Sequence, residues 1–125
     1  MSKSSKIEGS IDKIAKRLKL ISKRYRGGSI EVDRIWYYQV PLVGNVPLLG
    51  FEVESGPRVS KYYKGDISNL QELGCHGVIV LSEEGFGLSL KKEKAVVKKL
   101  IQSKRAPISV FSDSQLQQML DLLGM

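Results

Sequence analysis

The apolar patterns of this chain predict an α/β domain: a mixed β-sheet of about four strands flanked by helices, in the order α-β-β-α-β-α-β-α. Three observations carry that expectation. A helix-period apolar stripe opens the chain. Two apolar, β-favouring runs follow, separated by the turn-rich segment Pro41–Pro47. Strand-like and helix-like patterns then alternate to the end, which calls for parallel pairing through helical crossovers.

Residues 1–5 read as a frayed tail. Ile7, Ile11, Ile14, Leu18, Ile21 and Tyr25 recur every three or four positions, predicting one amphipathic helix that ends at Arg26-Gly27-Gly28. Ser5 with Glu8 fits a capping box, and Ser10 is an alternative start. Strand one is expected from about Ser29 to Val40, and strand two from about Leu48 to Glu54. Ser55-Gly56-Pro57 breaks the pattern. A helix between Arg58 and Leu73 follows, with Val59, Tyr63, Ile67 and Leu70 as its stripe, and Gly74 closes it. His76–Ser82 reads as a short strand buried on both faces. Glu83–Gly87 reads as a loop, Leu90–Ser103 as a helix capped by Ser89, Ala106–Phe111 as a strand, and Ser112-Asp113-Ser114 as the cap of a last helix. No repeat, low-complexity tract or linker interrupts residues 1–125, so a single domain is expected.

Composition narrows the function. The apolar fraction of 42% supports a packed core. No apolar run approaches the roughly 20 residues of a membrane span. Lys3 and Lys6 are not followed by an apolar stretch of the secretory type. The single cysteine, Cys75, rules out an intrachain disulfide and fits a reducing, cytoplasmic setting. Residues 1–26 hold nine Lys/Arg against two acids, which accounts for the whole net charge of +7. Such a concentrated basic segment is expected of a protein that meets a polyanion, and equally of a solvated helix face. Lys13, Lys16, Arg17, Lys23, Arg24 and Arg26 are the candidate nucleic-acid contacts. Phosphate-loop, dinucleotide-loop and serine-elbow motifs are absent, and the lone His76 has no partner at zinc spacing.

The residues that carry chemistry are acids on the two hairpin strands. Strands alternate their side chains, so Glu52 and Glu54 share one face opposite Phe51 and Val53, and Glu31 and Asp33 share a face opposite Val32. If Asp33 faces Glu52, the hairpin centre falls between Leu42 and Val43; a Gly44-Asn45 turn would shift that register. Converging carboxylates repel unless a cation lies between them, and a hard ion such as Mg²⁺ takes oxygen ligands. The alternative is an ordinary solvated sheet face.

The pattern Val32-Asp33, then Glu52-Val53-Glu54 nineteen positions on, followed by the helix around Arg58–Leu70, resembles the PD-(D/E)XK nuclease superfamily, with its restriction-endonuclease-like fold. The resemblance runs from the first helix to the Gly77–Leu81 strand. It implies that Asp33, Glu52 and the Val53 backbone carbonyl bind Mg²⁺ or Mn²⁺. Glu54 occupies the family's lysine position, so the basic group would come from the next helix, as Lys61 or Lys64; Glu54 itself would assist the attacking water or a second metal. Glu8 matches an acid that some members carry on the first helix. The implied activity is endonucleolytic hydrolysis of DNA, of restriction, repair or junction-resolving type, by a homodimer. The rival readings are a catalytically decayed nucleic-acid-binding module of the same fold and a basic protein-interaction domain.

Overall fold

The computed structural model describes residues 2–124 and consists of a five-stranded mixed sheet with helices on both faces. In chain order the elements are α1 (Lys3–Arg17), β1 (Ile21–Gly27), β2 (Ile30–Val40), β3 (Gly44–Glu54), α2 (Ser60–Leu73), β4 (His76–Leu81), α3 (Glu83–Phe86), α4 (Leu90–Lys104), β5 (Ile108–Ser112) and α5 (Asp113–Leu122). The sheet order is β1-β2-β3-β4-β5. The first three strands pair antiparallel, and β3, β4 and β5 pair parallel.

The fifth strand corrects the expectation of about four. The first helix stops at Arg17, and Ile21 and Tyr25 belong to β1. Lys19 adopts a left-handed conformation, and the Leu20 N–H donates to the Ala15 carbonyl at 2.8 Å, a helix-ending motif that the sequence achieves without glycine. A spacing of four residues satisfies both the 3.6-residue helix period and the two-residue strand period, so Ile21 and Tyr25 fit either. Ser2, not Ser5, caps α1: its Oγ accepts from the Ser5 N–H at 3.1 Å. Residues 3–5 are thus helical rather than frayed, and Glu8 lies inside the helix rather than capping it. The expected loop at Glu83–Gly87 contains the one-turn α3. Ser89 does not cap α4, because its hydroxyl donates back to the Phe86 carbonyl at 2.6 Å.

Two apolar layers sandwich the sheet. Ile7, Ile11 and Ile14 of α1 and Leu116 and Leu120 of α5 pack with Trp36, Phe51, Val53, Val78 and Val80. On the other face Tyr63, Ile67 and Leu70 of α2 and Val97 and Ile101 of α4 pack with Val32, Ile35, Ile79 and Leu81. The seat of α2 is set by two paired glycines, Gly50 and Gly77. A Cβ at Gly50 would come within 3.0 Å of Leu70 and Leu73, and one at Gly77 within 2.9 Å of Leu70. Their missing side chains let Leu70 rest on the sheet backbone. None of the described helices is long and apolar enough to cross a membrane.

Candidate functional site: a buried carboxylate cluster

β2 and β3 form a hairpin whose turn is Pro41-Leu42-Val43, with Val40 opposite Gly44. That closure alone would place Glu52 opposite Val32. A bulge between Trp36 and Tyr37 makes Leu48 the extra residue and shifts the register by one, so that Arg34 pairs with Phe51. Asp33 therefore comes opposite Glu52. A one-residue slip moves every side chain to the other face, so the bulge is what brings the two acids together.

A second bulge lies on the β1 side, where Lys23 pairs with Ile35 but Tyr25 pairs with Val32. Asp33 and Arg34 together face only Arg24. Simple alternation, with Asp33 and Val32 on opposite faces, does not extend past this point: Val32 and Ile35 both enter the layer under α2. Arg34 turns to α1, reaching Asp12 at 2.9 Å and Glu8 at 3.5 Å.

Where the hairpin ladder ends, the acids replace it. The Asp33 N–H donates to Glu52 Oε1 at 2.9 Å, and the Val53 N–H donates to Asp33 Oδ2 at 2.7 Å. Each carboxylate thus fixes the other strand's backbone and keeps its second oxygen free of that bond. The Val53 carbonyl points to the same side of β3 as its N–H, toward Asp33.

Glu52 and Glu54 stand opposite Ile79 and Leu81 of β4 and are only 7% and 5% exposed. A third acid closes over them. Asp66 lies four residues before Leu70 on α2, about 6 Å back along the helix. Glu52 lies two residues beyond Gly50 on β3, about 6.6 Å along the strand. With Leu70 seated on Gly50, the two acids meet, and the Asp66 carboxyl lies within hydrogen-bonding reach of Glu52 and Glu54. Glu54 Oε2 and Asp66 Oδ2 are buried with no donor on them.

The electrostatics follow from this crowding. Burial, then the hydrogen bond and charge of Asp66, then the charge of Asp33, push Glu52 up to about 10. Burial and the Asp66 charge push Glu54 up to about 7, against the pull of Arg58. Burial also raises Asp66 and, on α1, Glu8, the latter opposed by Arg34. The basic group beside the cluster is Arg58, whose Nη1 lies 3.3 Å from Glu54 and whose guanidinium stacks 4.1 Å from the Tyr62 ring.

Lys61 and Lys64 are exposed on α2. By helix geometry each projects roughly 140–160° away from Asp66 around the axis. Lys13, Lys16 and Arg17 lie exposed on α1, and Arg17 donates to the Leu123 carbonyl at 3.1 Å. Lys23, Arg24 and Arg26 lie on the edge strand β1, where Arg24 and Arg26 pair with Glu31. His76 Nε2 meets the Ser109 hydroxyl at 3.0 Å, away from the acids. Sequence reasoning missed Asp66 and Arg58 as site residues. The signal for Asp66 was an acid inside the inward arc defined by Tyr63, Ile67 and Leu70.

Among the described residues no three acidic, histidine or cysteine side chains form a ready-made metal shell. Mg²⁺ does not require one: it keeps several waters and binds through one or two carboxylates. The all-oxygen donor set and the two donorless carboxylate oxygens fit a hard cation. Compared with protein-family models, curated proteins and solved structures, the chain gives no significant match to any of the three.

Proposed function

We propose that this chain is a divalent-metal-dependent endonuclease of restriction-endonuclease-like fold that hydrolyses DNA phosphodiester bonds. One observation carries the reading: Asp33, Glu52, Glu54 and Asp66 crowd together at the splayed end of a hairpin, with two buried oxygens lacking any donor. Burying carboxylates without cations is unfavourable, and a structural role would be served better by apolar residues. Such arrangements are kept where their charge is used.

In this reading Asp33, Glu52 and the Val53 carbonyl would hold Mg²⁺ or Mn²⁺. When bound, the ion supplies a Lewis acid for the phosphoryl oxygen and a water acidified enough to attack. Glu54, next to that pair, would serve as the proton acceptor. Arg58 is held by Glu54 and Tyr62 at the edge of the cluster, where a cation would offset charge developing on the phosphate. Lys13 and Lys16 on α1 and Lys23 on β1 would contact the DNA backbone.

The test is cleavage of supercoiled plasmid, single strands and a four-way junction with Mg²⁺ or Mn²⁺. Wild type is expected to cut at least one substrate, and Asp33→Ala none. Absence of wild-type cleavage on all three, or undiminished cleavage by Asp33→Ala, defeats the proposal. The exposure of Lys61 and Lys64 away from Asp66 favours one second reading, a nucleic-acid-binding module with an inert centre. It predicts salt-sensitive DNA binding without any metal requirement. Calorimetric Mn²⁺ binding that disappears in Glu52→Ala would count against it.

A further inference from the structure

The carboxylates occupy one end of the sheet, and the opposite end has a different character. Residues 35–51, from Ile35 to Phe51, contain no charged side chain, in a chain whose charged fraction is 26%. They form the β2–β3 hairpin, and its tip extends past its neighbours. β1 reaches no further than Tyr37, and β4 begins opposite Leu49. The projecting part exposes Tyr38, Leu42, Val43, Val46 and Leu48, with Leu42 fully solvated and Val43 72% exposed. Leu18, at the end of α1, and Leu122, at the end of α5, are also exposed. They flank the same end, since β1 starts opposite Tyr37 and Arg17 bonds to Leu123.

We infer that the uncharged hairpin and the apolar side chains beside it are a self-association surface, through which two copies of the chain form a symmetric dimer. Four observations select a second copy as the occupant. Seven large apolar side chains at these exposures present on the order of 800 Å², the share one partner contributes to a standard interface and more than a monomer usually leaves open. The hairpin tip, which carries no charge from Ile35 to Phe51, offers nothing to DNA phosphates or to an acidic partner, both of which the basic N-terminal segment attracts. The net charge of +7 makes two copies repel at their basic faces, so an uncharged patch is where they can meet. An isologous contact needs a self-complementary patch, and an apolar hairpin laid against its own copy provides one. Pro41 and Pro47 each remove an amide donor from the hairpin, which disfavours strand addition at its edges. The contact is therefore through side chains, face to face. The inference stands independently of whether the acids catalyse anything.

Sedimentation velocity of the full chain, from low to high micromolar concentration, tests it. Wild type is expected to pass from monomer to dimer within that range. The double variant Leu42→Asp/Val43→Asp is expected to stay monomeric, with dissociation at least tenfold easier. Both positions are solvated, so its circular dichroism and melting point in dilute solution should match those of wild type. A wild type that stays monomeric throughout overturns the inference, as does a variant that dimerises equally well. Wild type that remains monomeric yet binds anionic phosphatidylserine vesicles, with the double variant failing to bind, overturns it in favour of a membrane contact.

Discussion

Replacing Glu52 with glutamine should stabilise the protein and abolish the metal binding proposed for it. Glu52 has an ordinary value of 4.5 and is pushed up to about 10 in the folded chain. The fold therefore holds a proton that the unfolded chain releases. Stability is greatest near or below 4.5 and declines as pH climbs toward the folded value, because the unfolded state binds fewer protons. Each unit costs about 1.4 kcal/mol, so by pH 7 the loss from this group is on the order of 3 kcal/mol. A glutamine side chain at this position would need no proton. Its carbonyl can still accept from the Asp33 N–H, and its amide can donate to Asp66, whose Oδ2 has no partner. Glu52→Gln should thus gain about 2–3 kcal/mol at pH 7, a melting rise of roughly 8–12 °C, and almost nothing near pH 4.5. Urea denaturation at the two pH values measures this. Millimolar Mg²⁺ should stabilise wild type at pH 7 and leave the variant unmoved; saturation a hundredfold above Kd is worth about 2.7 kcal/mol. Equal destabilisation of the variant at both pH values would refute the reasoning, because the carboxyl would then be buried at no protonation cost.

Three other substitutions probe the scaffold. Arg34→Ala leaves Glu8 and Asp12 without their cation and should cost about 1–2 kcal/mol at pH 7, with the deficit shrinking in urea titrations at acid pH as Glu8, raised by burial, takes up its proton. Gly77→Ala puts a Cβ at 2.9–3.1 Å from Leu70 and Ile108; it should destabilise by about 1–3 kcal/mol and, by lifting α2 and Asp66, weaken Mn²⁺ binding in calorimetry. Gly85→Ala would press its Cβ into the Ser55 carbonyl, a backbone group that no side-chain rotation relieves. A loss above about 3 kcal/mol is expected in thermal melts, since the segment just after Glu54 must move.

Local patterns were enough for much of the architecture. The central position of β3, the buried β4, the parallel half of the sheet and the inward stripes of α2 and α5 follow from periods of two and 3.6 residues, because burial selects side chains by facing. The Asp33–Glu52 opposition was legible as a condition on the hairpin centre. Whether it held depended on the Leu48 bulge, which local preference does not reveal. β1 was hidden because a four-residue spacing suits helix and strand alike; pairing with β2 decided it. Asp66 joins the site only because Leu70 settles on the glycine pair Gly50 and Gly77, whereas Arg58 reaches Glu54 from four residues along the chain. By itself the sequence determined which face each residue would seek. Tertiary packing decided which acids would meet, because register and helix seating are fixed by contacts between segments that the chain brings together only on folding.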